Sequence, residues 1–391
     1  MSRTEPLPAP PTARLAQLAT RRALLGVFWV GLYLALALLP LGVVLIGPLP
    51  PARNFLTEFS VGLGFVGLAM LGLQFAITAR FRRVEAPYGL DIVLRFHRQI
   101  SLVALTMIVA HPVLLLFGSA EFRAMIASPL AAPPRAWFAV LSLACLLALT
   151  ALSIWRRRLG LTYEQWRTSH GLLAVFAAFF ALAHILGVGH YLDSPWKQTL
   201  WAGGELAVIG LLGYVRVVKP LRMGYSPYRV AEVRPERGDA HTLVLNPDGH
   251  AGLTFTPGQF AWIKVGRSPF SQVEHPFSFS GSARSGTLEF TVKPLGDFTH
   301  TVGSIPPGTR AYVDGPYGVF TAFHQPAPGY VYVAGGIGIT PIMSMLRTHA
   351  DEGDTRPHLL IYANRDWAGV TFRDEIEALQ ARLNLTVVHV L

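Results

Sequence analysis

The sequence predicts a bundle of six membrane-spanning helices followed by a soluble half, built from short strands and a closing α/β unit. Three observations carry this reading. Of 391 residues, 51% are hydrophobic and only 14% charged, too oily for an ordinary soluble chain. The oil is concentrated: runs 23–52, 59–79, 99–120, 136–155 and 168–192 contain no Asp, Glu, Lys or Arg, and a sixth, 198–215, is broken only by Glu205. Beyond residue 222 the chain changes to short apolar-polar runs punctuated by Gly and Pro, with charges throughout. A bilayer core about 30 Å thick needs about 20 apolar residues per helix, so all six runs can span it.

The first twenty residues, Pro, Ala and Thr with scattered Arg, read as a disordered tail. No small-residue cleavage site follows, so the first long run is taken as a retained span and not a signal peptide. Basic residues orient the spans. The N-terminal segment and the loops after spans two, four and six hold Arg3, Arg14, Arg21, Arg22, Arg80, Arg82, Arg83, Arg95, Arg98, Arg156, Arg157, Arg158, Arg167, Arg216, Lys219 and Arg222. The alternate loops hold only Arg53, Arg123, Arg135 and Lys197. Sixteen against four places the N-terminus and the soluble half in the cytoplasm. The formal charge of +10 is thus membrane topology, and no nucleic-acid partner is expected.

The third run carries His97 and His111, the fifth His170 and His184, in both cases fourteen positions apart. Fourteen residues advance a helix about 21 Å and return to within about 40° of the starting direction, so each pair marks one face near its two ends. The two runs cross in the same direction, which puts His97 and His170 near the inner surface and His111 and His184 further out. Polar rings inside a bilayer are costly and are partnered or functional. Imidazole is a favoured axial ligand of haem iron, so two such helices suit two stacked bis-histidine haems. The plainer alternative is hydrogen bonding between helices. His190 lies off this face and reads as an outer-loop residue. The single cysteine, Cys145, excludes internal disulfides, cysteine-ligated clusters and covalent haem attachment, so any haem is of the b type.

In the soluble half, residues 255–265 and 286–299 alternate as half-buried strands do. Between them, "EHPFSFSGS" offers Phe277 beside the hydroxyls of Ser278 and Ser280, chemistry suited to a flavin face and its polar edge. "LGDFT" (295–299) adds a Gly turn whose amides could meet phosphate, and "VDGPYG" (313–318) reads as a tight turn closing a barrel. An apolar strand then enters "GGIGITP" (335–341) and an amphipathic helix, the arrangement that presents helix N-terminal amides to a dinucleotide. The usual third glycine is missing, and Pro341 stands near the helix start, where its absent N–H costs nothing. The strand "HLLIYANR" (358–365) ends on Arg365, placed for a ribose 2′-phosphate or simply for solvent.

Taken in order, H-x13-H twice, "HPFSFS", "GDFT", "DGPYG" and "GGIGITP" make residues 23–391 resemble the NADPH oxidase / ferric reductase superfamily, in its bacterial type. The resemblance implies a six-helix haem domain (21–222), an FAD-binding β-barrel (223–326) and an α/β NAD(P)-binding domain (327–391). It further implies that His97 with His170 ligates an inner b-type haem, and His111 with His184 an outer one. FAD would rest on His275, Pro276, Phe277, Ser278, Ser280, Gly296, Asp297, Phe298 and Thr299. NADPH, with NADH also possible, would rest on Gly335, Gly336, Ile337, Gly338, Thr340 and Pro341, helped by Arg365. Arg95, Arg98 and Arg167 would meet inner-haem propionates or lipid headgroups. The chain ends at "LTVVHVL", in an expected third strand, before the family's further strands, Cys-Gly-type segment and flavin-screening terminal residue. The α/β domain is therefore expected to be incomplete.

The implied activity carries electrons from cytoplasmic NADPH through FAD and two haems to an extracytoplasmic acceptor. The expected location is the inner membrane of a bacterium. The outer loops show little charge and no metal cluster, which favours oxygen, giving superoxide, over an anionic ferric chelate. A quinone or a periplasmic redox protein is a further acceptor. No general acid, base or nucleophile is required. A six-span channel or sensor whose histidines titrate is the competing reading from another class, and it predicts a colourless protein.

Overall fold

A computed structural model describes residues 11–81, 88–323 and 327–391. Its two compact units meet in sequence between Leu212 and Gly213, with Tyr88–Leu90 counted to the second.

The first unit is helical: α1 (Pro11–Val44), α2 (Phe55–Thr78), α3 (Leu90–Gly118), α4 (Pro134–Trp155), α5 (Tyr163–Val188) and α6 (Pro195–Gly213). A short helical segment, Ala120–Ala127, lies between α3 and α4. Six described helices are long and apolar enough to cross a membrane, the last running on to Gly224 through a π-helical turn. Helix α1 begins at Pro11, so residues 11–20, expected as tail, are helical, while 1–10 lie outside the described residues. The reason is local: "PTARLAQLATRRALL" is rich in Ala, Leu, Arg and Gln, strong helix formers, behind a proline at the first turn. A capping box starts α5, where Thr162 Oγ1 accepts from Gln165 N and Gln165 Oε1 accepts from Thr162 N. Large apolar side chains on these helices point outward, as with Val27 (72% exposed) and Phe117 (72%), which is the surface a lipid solvent covers.

The second unit opens with a six-stranded antiparallel sheet of β1 (Tyr228–Pro235), β2 (His241–Pro247), β3 (Phe260–Val265), β4 (His275–Ser278), β5 (Leu288–Val292) and β6 (Arg310–Tyr317), in the order β4-β3-β6-β1-β2-β5. Its core gathers Val230, Leu243, Leu245, Ile263, Phe279 and Phe290. "VDGPYG" is not the expected closing turn: residues 313–317 belong to β6. Phe260 pairs with Tyr317 and Trp262 with Asp314, so Gly315 and Pro316 together face Ala261 as a bulge. A Cβ at Gly315 would sit 2.7 Å from that of Ala261, so only glycine lets β3 and β6 approach here. Similarly, β3 starts only at Phe260, because Gly258, at φ +95°, turns the chain under Phe320.

A parallel sheet follows: β7 (Tyr330–Gly335), β8 (His358–Ala363) and β9 (Leu385–Val390), in that order, with helices α7 (Thr340–Asp351) and α8 (Arg373–Leu379). Ile339, Ile342, Met343, Leu346, Leu360, Tyr362 and Val370 form its core. Helix α7 is buried on more than one face. Away from the parallel sheet, Ser344 Oγ donates to Gly281 O and Thr348 Oγ1 accepts from Ala283 N.

Candidate functional site

Helices α3 and α5 bring the four histidines together in crosswise pairs. The rings of His97 and His170 lie 6.4 Å apart, centroid to centroid. Two metal–imidazole bonds of about 2 Å plus a ring radius on each side put an axial pair roughly 6 Å apart, so this gap has the width of one ligated metal. His111 and His184 lie within electrostatic reach of each other.

The neighbouring helices hold each ring by the same atom. His97 Nδ1 meets Gln74 Oε1 at 3.0 Å, and the Gln74 amide nitrogen is committed to Tyr33 Oη and Met70 O. His111 Nδ1 lies 2.9 Å from Ser60 O, and Ser60 Oγ donates to His111 O. His184 Nδ1 lies 2.8 Å from the carbonyl of Arg135. His170 Nδ1 meets Ser153 Oγ at 3.2 Å, a hydroxyl that already donates to Leu149 O and accepts from Trp166 Nε1. In every case the partner left for Nδ1 is an acceptor. The proton therefore sits on Nδ1 and the lone pair on Nε2, the tautomer that a metal-ligating imidazole needs. His97 and His170, at this separation, would suit a haem iron held between them, and His111 and His184 would offer the same donor atoms further along the helices.

These second partners were not foreseen from the sequence, although a signal existed. Ser60 and Gln74 are themselves fourteen apart on α2, matching His111 and His97 in antiparallel order. Another polar group on the first unit lies outside every sequence motif. Glu58 takes Arg53 Nε at 3.0 Å and a hydrogen bond from the Tyr191 hydroxyl, two residues along α2 from the Ser60 that holds His111.

In the antiparallel sheet, β4 and the turn after β5 assemble three nearly parallel rings. His275 stacks on Phe298 at 4.1 Å and 8°, and Phe277 lies 6.1 Å from Phe298 and 6.2 Å from His275. All three rings are half-buried, with Pro276 exposed between the β4 pair. Thr299 shapes the turn, its Oγ1 accepting from Leu295 N and Gly296 N, while Gly296 and Asp297 are exposed. Ser278 is half-buried. Ser280 differs from the surface hydroxyl expected: it is fully buried, and its Oγ accepts from Thr291 Oγ1, itself bonded to Thr242 Oγ1. The backbone after Ser278 leaves β4, so the alternation that would expose Ser280 ends there.

At the end of β7, a Cβ built on Gly335, Gly336 or Gly338 would meet nothing within 4 Å. This open space lies along the backbone that leads into α7, where phosphate would meet amides. Tyr362 Oη donates to Gly336 O and Thr340 Oγ1 to Ile337 O, which fixes the turn, and Pro341 stands in the first turn of α7. Strand β8 ends at Ala363, and Arg365 follows two residues later, exposed at the same sheet edge. Arg347, outside every sequence motif, is a linking residue. From α7 it reaches Glu289 (3.0 Å), Ser280 O (2.8 Å) and Glu375 (2.6 Å), tying the antiparallel sheet to the nucleotide-type fold. These carboxylates hold its guanidinium above the ordinary range despite burial, which lowers it.

Comparison with known proteins matches residues 63–181 to the ferric reductase like transmembrane component and residues 332–391 to the oxidoreductase NAD-binding domain. The NADPH oxidoreductase of Mycobacterium tuberculosis is 32% identical over 160 residues, 39% of this chain and 42% of that protein. Respiratory burst oxidase homolog protein G of Arabidopsis thaliana is 25% identical over 216 residues, 50% of this chain and 24% of that protein. Among solved structures, the FAD/NAD-binding domain of nitric oxide dioxygenase from Vibrio cholerae is 24% identical at a TM-score of 0.38, covering 42% of this chain and 73% of that one. The match with the first of these relatives spans less than half of its length. The chain thus joins a segment that matches the ferric reductase like transmembrane component to one that matches the oxidoreductase NAD-binding domain.

Proposed function

We propose that this protein carries electrons from cytoplasmic NADPH across a bacterial inner membrane to oxygen, giving superoxide, with FAD and two b-type haems as carriers. The observation that carries the reading is that four half-buried histidines each meet a hydrogen-bond partner through Nδ1, which leaves Nε2 of each ring for a metal. A titrating sensor has no need for four rings with the same protonated nitrogen. The flavin supplies the conversion of hydride into single electrons, and the haems supply a path through a medium that excludes ions.

The protein's own part is placement. His97 and His170 hold one level of the bundle, His111 and His184 the other. The rings of His275, Phe277 and Phe298 offer a stacking shelf for an isoalloxazine or adenine face, and Thr299 fixes the turn beside it. Gly335, Gly336 and Gly338 leave room for phosphate, and Arg365 lies where a 2′-phosphate would be met. The excess of basic residues in alternate loops supports a cytoplasmic reductase unit.

The test is an optical spectrum of the purified protein before and after dithionite. Sharp b-type bands and flavin absorption are expected, and a colourless protein would return the channel or sensor reading. Assayed with NADPH in vesicles, superoxide dismutase-sensitive dye reduction identifies oxygen as acceptor. Formation of Fe(II) from a ferric chelate at a higher rate would identify a ferric reductase on the same path.

A further inference from the structure

We propose that His349, Asp354 and His358 form a site for a borderline divalent transition metal of the zinc class, within the nucleotide-type fold but remote from its glycine turn. His349 lies in the last turn of α7, His358 opens β8, and Asp354 sits in the loop between them. The glycine turn lies at the opposite end of the parallel strands, and six residues of β8 span about 20 Å.

Both imidazoles are buried, with 1% and 2% exposure, and none of their four ring nitrogens has a hydrogen-bond partner. Such orphaned polar atoms are rare in native interiors and call for a bound group. His349 Nδ1 stands 2.7 Å from Asp354 Oδ2, and His358 Nε2 stands 3.7 Å from the same oxygen. The shorter contact is close enough for an ion pair yet misaligned for an N–H···O bond, as for two ligands aimed at a shared point. Adjacent corners of a tetrahedral site with 2.0 Å bonds lie about 3.3 Å apart, between these two values. All three ligand atoms fall within 4.8 Å of one another, the only such group among the described residues. Two imidazoles and a carboxylate suit zinc or a neighbouring ion and leave a fourth position open.

The surroundings hold the ligands in place. Phe323 stacks on His349 at 4.3 Å, and Tyr332 lies nearly parallel to His358 at 6.1 Å and 5°. The Tyr332 hydroxyl is likewise buried without a partner. Arg356 grips both oxygens of Asp354, at 2.9 Å to Oδ1 and 2.5 Å to Oδ2, and keeps that carboxylate ionised. Oδ1 also accepts from Arg356 N at 3.0 Å and Oδ2 from Arg356 Nε at 3.1 Å, so a metal would have to displace one of these contacts, and the guanidinium opposes a second cation. The site is therefore expected to bind more weakly than a closed structural zinc site.

The experiment uses the full chain in detergent with its haem and flavin loaded, stripped by a chelator and then equilibrated with zinc. Metal content is measured by mass spectrometry. Wild type should hold about one zinc more than the double variant His349→Leu/His358→Val, whose apolar side chains fill the space. Asp354→Asn and His358→Gln should each weaken zinc at least about tenfold, with flavin content unchanged. Zinc should also raise the temperature of flavin release in wild type and not in the variants. If the double variant fails to retain flavin, the two single variants decide. Wild type that takes up no more zinc than the variants overturns the site and leaves a buried histidine pair.

Discussion

The two units use apolar residues in opposite ways. In the membrane unit, large side chains such as Val27, Phe28 and Phe117 face outward, while Ser60, Gln74 and Ser142 are buried. In the reductase unit, Ile339, Met343, Leu346, Phe279 and Phe290 are buried in cores, and charged groups that go inside, such as Arg347, are paired with carboxylates. Lipid offers the helices no hydrophobic reason to associate, so the membrane unit is specified largely by polar contacts between helices, of which those from Ser60 and Gln74 serve a histidine ring. Water supplies the driving force in the other unit, so packing shape specifies it. Damage to one unit should therefore look like lost ligation, and damage to the other like lost stability.

The largest effect tests the first half of that contrast. His97→Ala and His170→Ala should each leave about one haem per chain instead of two, and both should remove the same haem. His111→Ala and His184→Ala should remove the other. Haem content with separate redox titration checks this, and loss of the same haem from His97→Ala and His111→Ala would break the crosswise pairing.

Next comes backbone shape in the reductase unit. Gly258 has φ +95°, and a Cβ there would meet Phe320 O at 2.0 Å and Met345 Cε at 2.4 Å. Gly258→Ala should cost roughly 3–5 kcal/mol, read as flavin release on heating. Gly286→Ala, at φ +73° in open space, should cost only about 1 kcal/mol. Haem content should stay at the wild-type level in both, and its loss would show that the two units are not independently specified.

Nucleotide choice follows. Arg365→Ala should remove a charge-assisted contact worth about 1.5–3 kcal/mol, raising KM for NADPH roughly ten- to a hundredfold. NADH should be nearly unaffected. Equal losses with both nucleotides would make Arg365 a structural residue. Phe277→Ala removes one ring of the shelf, worth on the order of 1–3 kcal/mol. FAD should weaken roughly 5- to 150-fold on that scale, with haem unchanged, and an unaltered flavin affinity would move the site.

The smallest effect concerns a half-buried carboxyl. Burial holds the Glu236 carboxyl above its ordinary 4.5, against the Thr242 hydrogen bond and the nearby Arg347 and Arg234 that favour ionisation. The folded unit thus keeps this proton longer than the unfolded chain does. Its stabilising contribution is full below pH 4.5 and fades as pH rises through the raised value. Glu236→Gln should flatten that dependence and leave the unit slightly more stable at pH 7, which denaturant titration at several pH values would measure.

The sequence by itself determined what local periodicity encodes. Charge-free runs matched to bilayer thickness define the spans, and fourteen residues return a helix to its own face, so H-x13-H marks two rows of histidines. Strand alternation and the glycine-to-helix turn are equally short-range, and β7, β8 and α7 follow from them. The residue-level errors lie where one element answers another. "VDGPYG" reads as a turn until β3 lies alongside, when Gly315 and Pro316 become a bulge against Ala261. Ser280 reads as a flavin-edge hydroxyl until Thr291 and Thr242 close over it. Ser60 and Gln74 mean little until antiparallel α2 sets them against His111 and His97. Arg347, His349 and His358 belong to no motif in the sequence, and only packing joins them to their partners. Backbone geometry sets the periods within an element, whereas the choice of neighbour depends on burial and polar satisfaction summed over distant residues. Only the tertiary structure decides that choice.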